Sequence, residues 1–207
     1  MGLSEIQRVL AQLYTNAALR ERSFADPQAV GEELGLSAAE VQQVAQLSAQ
    51  QVNLFANSLH GKRLGEVCKL LPLTYRVLGK HFALLFRRYA ETYVPKGIKK
   101  HRDDAISFAT FMEQVARAED IEPAWAIEVL RYEKAGLIAS SITRRLMVCR
   151  FGYAIGKLVQ SLDRGDEVPS LLKQPTIVFW VRFTRQGQLW RVVFSLPAFR
   201  ARSSRLL

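Results

Sequence analysis

Three histidines and two cysteines are the side chains of this sequence best suited to bind a metal or to act as nucleophiles. His60, His81 and His101 are scattered along the chain, and none lies four residues from a second ligand, as a helical zinc site would require. Cys68 and Cys149 form no Cys-x-x-Cys motif. We therefore predict no metal, no cofactor and two unpaired thiols, as expected in a reducing compartment.

The usual signatures of catalysis are also missing from the sequence. It contains no glycine-rich phosphate loop, no dinucleotide-binding glycine pattern and no Gly-x-Ser-x-Gly turn. Asp103 and Asp104 could form a carboxylate pair for acid–base chemistry, but an N-cap for the helix that follows is the simpler interpretation of Asp103. We assign no catalytic residue and expect a protein that is not an enzyme.

The distribution of charge is more informative. The formal net charge is +10, and it rises from −3 over residues 1–60 to +4 over residues 61–142 and +9 over residues 143–207. Such asymmetry indicates a polyanionic partner or an acidic partner protein, while a solvated basic surface explains it equally well. The residues that we assign to a partner-binding or anion-binding site are Arg144, Arg145, Trp180, Arg182, Arg185 and Arg191.

A β-hairpin near the C-terminus is the element predicted to position most of these residues. Thr176–Thr184 and Leu189–Leu196 are rich in Val, Phe and Trp, which favours strands, and Gln186-Gly187 suits the turn between them. A two-residue loop makes four apolar pairs on one side of the hairpin, and we predict that this side is buried on the helices. The pairs are Phe183 with Trp190, Val181 with Val192, Phe179 with Phe194, and Ile177 with Leu196.

The same register sets Arg182 opposite Arg191, where like charges repel each other. An anion near the pair would relieve the repulsion, and it is either a carboxylate of the chain itself or an acidic partner. We predict a solvent-facing anion site with Trp180 beside the two arginines and Arg185 at the tip of the turn. The hairpin would also offer two strand edges to an extended peptide.

The chain before the hairpin is predicted to be mainly helical. Asn16, Asp26-Pro27 and the capping box Ser37-Ala-Ala-Glu40 mark three helix starts, and Pro72 marks a break. Residues 143–160 are compatible with a strand followed by a helix, or with a helix interrupted at Gly152.

The predicted fold class is therefore mostly α (α+β), a multi-helix bundle with a C-terminal antiparallel β-hairpin. Three parts are expected: a small helical unit over residues 1–60, a helical bundle over residues 61–142, and a basic region over residues 143–207 whose hairpin packs on the helices.

Composition limits the class of protein further. Hydrophobic residues make up 49% of the 207-residue chain, which argues against a disordered protein. No apolar run approaches the length of a membrane span, and the first residues lack the pattern of a signal peptide. We expect a protein of a bacterial-type cytoplasm with no membrane partner.

Two resemblances add to this interpretation. Residues 8–60 resemble small helical units of actinobacterial and cyanobacterial proteins, and they are also similar to the small α-subunit of extradiol aromatic-ring dioxygenases and to leader regions of some modified-peptide precursors. Caps and packing residues carry this first resemblance, so it implies fold and not chemistry. These residues are Phe24, Asp26, Pro27, Gly35, Leu36, Ser37 and Glu40.

The second resemblance covers residues 62–140, which are similar to HvfC/BufC-type accessory proteins, a family whose N-terminal domain carries a DNA-binding label. The matching positions are Leu71-Pro72, Leu78-Gly79, Phe86, Tyr89, Pro95, Leu130, Glu133 and Ala135. The resemblance implies a non-catalytic partner of a multinuclear-iron peptide-modifying enzyme, which helps to hold a leader peptide in part through a C-terminal β region. The chain departs from that pattern because its predicted β region is a single hairpin.

These observations favour an adaptor or accessory protein that binds a partner protein or peptide. The partner is a leader peptide or a metalloenzyme of peptide modification if the second resemblance holds. The alternative is nonspecific nucleic-acid binding by the basic C-terminal half. The segment with helices of suitable length for a helix-turn-helix, residues 26–60, is acidic, so no major-groove helix is expected. The sequence does not specify an oligomeric state.

Overall fold

A computed structural model gives the fold of residues 2–91, 93, 100–168, 173–184 and 187–195. The described chain is mostly helical and ends in a three-stranded antiparallel sheet, so the predicted fold class is confirmed. The helices are α1 Gly2–Thr15, α2 Ala17–Ala25, α3 Pro27–Glu33, α4 Ala38–Ala45, α5 Ala49–Leu70, α6 Pro72–Leu78, α7 Lys80–Ala90, α8 Lys100–Val115, α9 Ala126–Ala139 and α10 Ile155–Arg164. The strands are β1 Leu146–Phe151, β2 Thr176–Val181 and β3 Trp190–Ser195. Among the described helices, none combines the length and the apolar character needed to cross a bilayer.

Contacts divide the chain into two compact units. The first contains Met1–Val67 and Ala83–His101, and the second contains Cys68–Phe82 and Arg102–Leu207. Helices α5, α7 and α8 each contain residues of both units. The predicted three-part division at residues 60 and 142 rests on charge and pattern, and it stays a prediction.

Local capping determines where the short helices of the first unit begin. The Asn16 side chain accepts a hydrogen bond from the Leu19 N–H (3.0 Å) at the start of α2, and the Asp26 side chain accepts one from the Ala29 N–H (3.0 Å) before α3. Ser37 and Glu40 form the predicted capping box of α4. These three helix starts are confirmed because each depends on residues that are adjacent in sequence.

The core of the first unit is formed by aliphatic side chains of α1 to α5. They lie at helical spacing, so that each helix contributes one apolar stripe. The buried members are Val9, Leu13, Leu19, Val30, Val44 and Val52.

In the second unit, one buried carboxylate caps a helix that has no cap of its own. Leu71, the N-cap of α6, makes no side-chain hydrogen bond to the helix. Glu133 of α9 takes that role, because its carboxylate accepts hydrogen bonds from the backbone N–H groups of Leu73 (2.8 Å) and Thr74 (2.9 Å) and from the Thr74 hydroxyl (2.6 Å). A buried helix end requires such partners. Glu133 therefore ties α6 to α9.

The sheet packs on α9 and α10 by one face only. The three strands are arranged in the order β1-β2-β3, with both neighbouring pairs antiparallel. Along β2 the buried residues Thr176, Val178 and Trp180 alternate with half-buried residues, as expected for a sheet covered on one side. Apolar side chains of α9, α10 and the sheet form the core of this unit. Its members include Val129, Tyr132, Ala135, Ile155, Leu158, Phe151, Val178 and Trp180.

Strand β1 lies within residues 143–160, the segment for which the sequence allowed two alternative structures. Residues 146–151 form β1 and residues 155–164 form α10, so the strand-then-helix alternative is correct. The β region is consequently a three-stranded sheet, and the expectation of a single hairpin was wrong in that respect. A pairing between residues that lie twenty-five to thirty-five positions apart in the sequence cannot be predicted from local turn signals.

The predicted register of the hairpin was also wrong, by two residues. Phe194 lies opposite Ile177, Val192 opposite Phe179, and Trp190 opposite Val181. The connection runs from residue 182 to residue 189 and is longer than a two-residue loop, although residues 185 and 186 at its tip and Leu196 lie outside the described residues. A shift of two preserves the face of every side chain but changes every facing pair.

Candidate partner-binding surface

The face predicted to be buried is the one that the fold leaves open. We call it the outer face, and it combines side chains of all three strands. Its members are Leu146, Val148 and Arg150 of β1, Ile177, Phe179 and Val181 of β2, and Trp190, Val192 and Phe194 of β3. Phe194 is 55% exposed and Trp190 is 54% exposed, whereas the three β2 residues are half-buried. Eight apolar side chains, five of them exposed and three half-buried, thus form a contiguous patch with one arginine.

The opposite face of the sheet, the inner face, is held by α9 and α10. The Trp180 ring lies 5.7 Å from the Tyr132 ring of α9. Gly156 of α10 allows close approach of β3, because a Cβ built there would lie 3.1 Å from a methyl group of Val193. These contacts determine which face is buried. The apolar character of the strands alone could not determine it, because both faces carry large apolar residues.

The structure brings Arg145 and Arg182 side by side, because the Arg182 N–H donates a hydrogen bond to the Arg145 carbonyl (2.8 Å), but it does not assemble the predicted anion site. Trp180 is only 4% exposed and belongs to the core, so its assignment to a solvent-facing site was wrong. Arg182 does not face Arg191, because Arg191 lies opposite Trp180 in the observed register. Arg185 lies outside the described residues. Arg144 and Arg145 are exposed just before β1, as a partner-binding role requires.

The two arginines expected to repel each other have separate internal partners, and neither partner is a carboxylate. Arg182 donates a hydrogen bond from Nη2 to the Ser140 carbonyl (3.3 Å). Arg191 donates from Nη1 to the Tyr132 hydroxyl, and its guanidinium lies 5.5 Å from the centre of the Tyr132 ring. Burial raises the pKa of Tyr132, while the nearby Arg191 charge acts in the opposite direction. Arg191 therefore fixes the outermost strand to α9.

We expect Arg191→Gln to lower the free energy of unfolding by about 1 kcal/mol, because it removes one hydrogen bond and one cation–π contact at a partly exposed position. Chemical denaturation monitored by tryptophan fluorescence measures the change. Arg150→Gln is the matched control, since Arg150 is exposed on the outer face, and it should change the stability by less than about 0.5 kcal/mol. Equal effects of the two substitutions would contradict the contact to Tyr132.

The outer face lacks negative charge. Residues 140–162 and 173–195, which include all three strands, contain no Asp or Glu. Arg150 lies within the outer face, and the exposed residues Arg144 and Arg145 immediately precede β1. An apolar face with arginines on and just before one edge strand is complementary to an acidic polypeptide that carries apolar side chains.

The residues best suited to metal binding or nucleophilic chemistry are not assembled into a site. Among the described residues, no group of three or more His, Cys, Asp or Glu could hold a metal ion. Cys68 and Cys149 are free thiols, and burial raises the pKa of both. Asp103 is not an N-cap, because α8 begins at Lys100 and Asp103 lies in its first turn. There its negative charge interacts favourably with the positive end of the helix dipole.

Sequence reasoning missed Leu146, Val148 and Arg150, one third of the outer face. A signal for them was present in the run LMVCRF, which is apolar except for Arg150 and is followed by Gly152. The length of that run suits a strand better than a helix. The pairing of this strand with β2 depends on contacts between residues that are distant in sequence.

Comparison with protein families found a match to "SCO6045-like, C-terminal domain" over residues 45–114, which is less than half of the chain. The matched region extends from the end of α4 into α8 and stops before the sheet. Comparison with curated proteins and with solved structures gave no significant match. The chain is thus similar to this domain over its central helices.

Proposed function

We propose that the protein is a non-catalytic adaptor that binds an acidic partner polypeptide on the outer face of its C-terminal sheet. The observation that supports this proposal is a contiguous patch of eight apolar side chains on one sheet face, five of them exposed and three half-buried. Contiguous apolar patches of this kind commonly mark interaction sites. The exposed aromatic rings of Trp190 and Phe194 are of the type that contributes most to binding energy at interfaces.

Charge favours a different protein over a second copy of this chain as the occupant. Two copies that met through their outer faces would bring the positive charges of both, at Arg150 and at the arginines that precede β1, into one interface, where like charges repel each other. Because these strands carry no carboxylate, nothing on the face would neutralise that repulsion. An acidic polypeptide avoids the penalty and gains from the same arginines.

The resemblance to HvfC/BufC-type accessory proteins suggests an identity for the partner. In this proposal the partner is a peptide-modifying metalloenzyme or the leader of its precursor peptide, and the complex forms in the cytoplasm. Genes for an iron enzyme and a short acidic precursor beside the gene for this chain would support it. An unrelated gene neighbourhood would remove the support for this partner and leave the binding surface in place.

Nonspecific binding of single-stranded nucleic acid is the second candidate. Exposed Trp190 and Phe194 rings near arginines could stack on bases while the arginines contact phosphates. The outer face argues for the first candidate, because most of its exposed surface is apolar and only Arg150 lies within it. Bases stack on aromatic rings, but aliphatic positions such as Val148 and Val192 provide no such platform.

The test uses the tagged protein to capture partners from lysate of its own source, with and without nuclease. Val192→Glu places a negative charge in the middle of β3 on the outer face and should reduce capture of an identified acidic protein at least about tenfold. Gln160→Glu is the matched control, because it adds the same charge at an exposed position of α10. The interaction is then measured with the purified partner by calorimetry.

The outcomes separate the two candidates. Capture that survives nuclease and is lost only in Val192→Glu supports the adaptor. Capture that disappears with nuclease, together with salt-sensitive binding of a labelled single-stranded oligonucleotide, overturns it in favour of nucleic acid. Equal binding by both variants would exclude the outer face.

A further inference from the structure

The outer edge of β1 carries unpaired backbone groups. The Arg182 N–H donates a hydrogen bond to the Arg145 carbonyl (2.8 Å), which defines a hydrogen-bonded pair next to β1. Because such pairs alternate along an antiparallel ladder, Met147, Cys149 and Phe151 direct their backbone groups toward β2. Leu146, Val148 and Arg150 direct theirs away from the sheet. Within the described part of the chain, none of these outward groups has a hydrogen-bond partner.

A small cavity lies beside this edge, on the inner side of the sheet. Its volume is about 240 Å³, and α8, α9 and β1 line it. Its apolar wall consists of Ala135, Ile138, Met147, Cys149 and Phe151. The volume is below the range of sites for cofactors and drug-sized ligands, so it suits a single side chain.

The charged residues of the cavity already have partners. Lys134 forms an ion pair with Glu113 (2.9 Å), and Arg131 forms one with Glu128 (2.9 Å). The Arg131 guanidinium also lies 5.8 Å from the centre of the Phe151 ring. A carboxylate entering the cavity would meet cations whose charges these carboxylates already balance, so it would gain little from them. An apolar side chain can enter without the cost of burying a charge.

The geometry of an added strand connects the edge with the cavity. Side chains of neighbouring strands lie side by side on the same face. In a strand hydrogen-bonded to β1, the residues on the inner side would lie beside Met147, Cys149 and Phe151, which line the cavity. The alternate residues would lie beside Val148 and Arg150 on the outer face.

We propose that an extended segment of the partner adds to β1 as a fourth strand and inserts one aliphatic side chain into the cavity. This inference rests on the proposed adaptor function and specifies its ligand. The inserted residue is Leu, Ile, Met or Val. The alternate residues include Asp or Glu, which meet Arg150 and the arginines that precede β1.

The first test selects a displayed library of random decapeptides on the wild-type protein. The expected consensus contains one aliphatic position with acidic residues at alternate positions. Glycine at the aliphatic position should weaken binding of the synthetic consensus peptide by about tenfold or more, because burial of that side chain is lost. A consensus without an aliphatic position, or a failure to enrich any peptide, would overturn the inference.

Proline substitutions identify the edge. Val148→Pro removes an outward N–H of β1 while it keeps the ladder to β2, and it should abolish binding of the consensus peptide. Ser195→Pro is the matched control, since the alternation along β2 places the Ser195 N–H on the outer edge of β3. Thermal melts establish that both variants are folded. Loss of binding only in Ser195→Pro would contradict the choice of β1.

Alkylation of Cys149 reports directly on the cavity. The protein with Cys68→Ser is treated with N-ethylmaleimide, with and without consensus peptide at ten times its Kd. The bound peptide should slow alkylation by about tenfold, whereas the glycine peptide at its own saturating concentration should give little protection. Equal protection by both peptides, or none, would show that the side chain does not enter the cavity.

These results separate the inference from the proposed function. If Val192→Glu abolishes partner capture but no peptide protects Cys149, the adaptor stands and the fourth strand is wrong. If peptides bind at β1 and protect Cys149 while Val192→Glu captures the partner as well as the wild type does, the edge is correct and the outer face is not the adaptor surface.

Discussion

Trp180→Ala is expected to lower the free energy of unfolding by about 3–5 kcal/mol, the range for removing a large buried aromatic side chain. Trp180 is almost fully buried, and it packs on Tyr132 and approaches Gly136 of α9. The cavity left behind would lie between the sheet and its supporting helix, where neither element can collapse fully. Urea unfolding followed by circular dichroism measures the change.

Trp190→Ala provides the matched control, because it removes the same side chain from the neighbouring strand. Trp190 is on the outer face and about half exposed, so its loss should cost less than about 1 kcal/mol. The same substitution should weaken binding of the partner. A larger loss of stability in Trp190→Ala than in Trp180→Ala would mean that the inner and outer faces are reversed.

Glu133→Ala is expected to lower the free energy of unfolding by about 3 kcal/mol. The substitution leaves the N–H groups of Leu73 and Thr74 buried without an acceptor, and each orphaned group carries a desolvation cost. Denaturant titration of the purified variant tests this. Glu167→Ala removes an exposed carboxylate from the same unit and should have an effect within about 0.5 kcal/mol. Comparable effects would indicate that Glu133 does not cap α6.

The stabilising effect of Glu133 should also depend on pH. Burial raises the pKa of Glu133, and the hydrogen bonds from Thr74 and Leu73 lower it without reversing the shift. The folded protein therefore binds this proton more tightly than the unfolded chain does. The stability that this provides is complete below the unfolded pKa and is lost as the pH rises through the folded pKa.

Comparison with Glu133→Gln isolates this titration, because glutamine has a similar shape and no proton to exchange. Unfolding measured between about pH 4 and pH 8 should show the stability of the wild type falling relative to the variant as the pH rises. The opposite trend would mean that the three hydrogen bonds to the carboxylate outweigh its burial.

Features that depend on neighbouring residues could be predicted from the sequence. Asn16, Asp26 and Ser37 each accept a hydrogen bond from a backbone group three residues later, so a local pattern was sufficient. Pro72 begins α6, as its fixed φ angle favours. The grouping of the β2 and β3 residues into two faces was also correct, because alternation along a strand is a local property, but the face that was expected to be buried is the exposed one.

Features that depend on distant contacts could not be predicted in the same way. Apolar alternation selected Phe179 and Phe194 as core residues, yet the opposite side of β2 offers Val178 and Trp180, which suit a core equally well. The choice was made by α9 and α10, through positions such as Tyr132 and Gly156. Most of the predicted site was wrong for the same reason. The positions of the arginines depend on the register between β2 and β3 and on the pairing of β1 with β2.

The absence of carboxylates from the sheet has a consequence for the free protein in solution. At low ionic strength, the net charge of +10 and the arginines around the outer face keep free molecules apart. Added salt shortens the Debye length and weakens this colloidal repulsion, while the attraction between apolar patches persists. Purification and storage before the partner is added are therefore best carried out in dilute buffer, where charge protects a surface that the fold itself leaves uncovered.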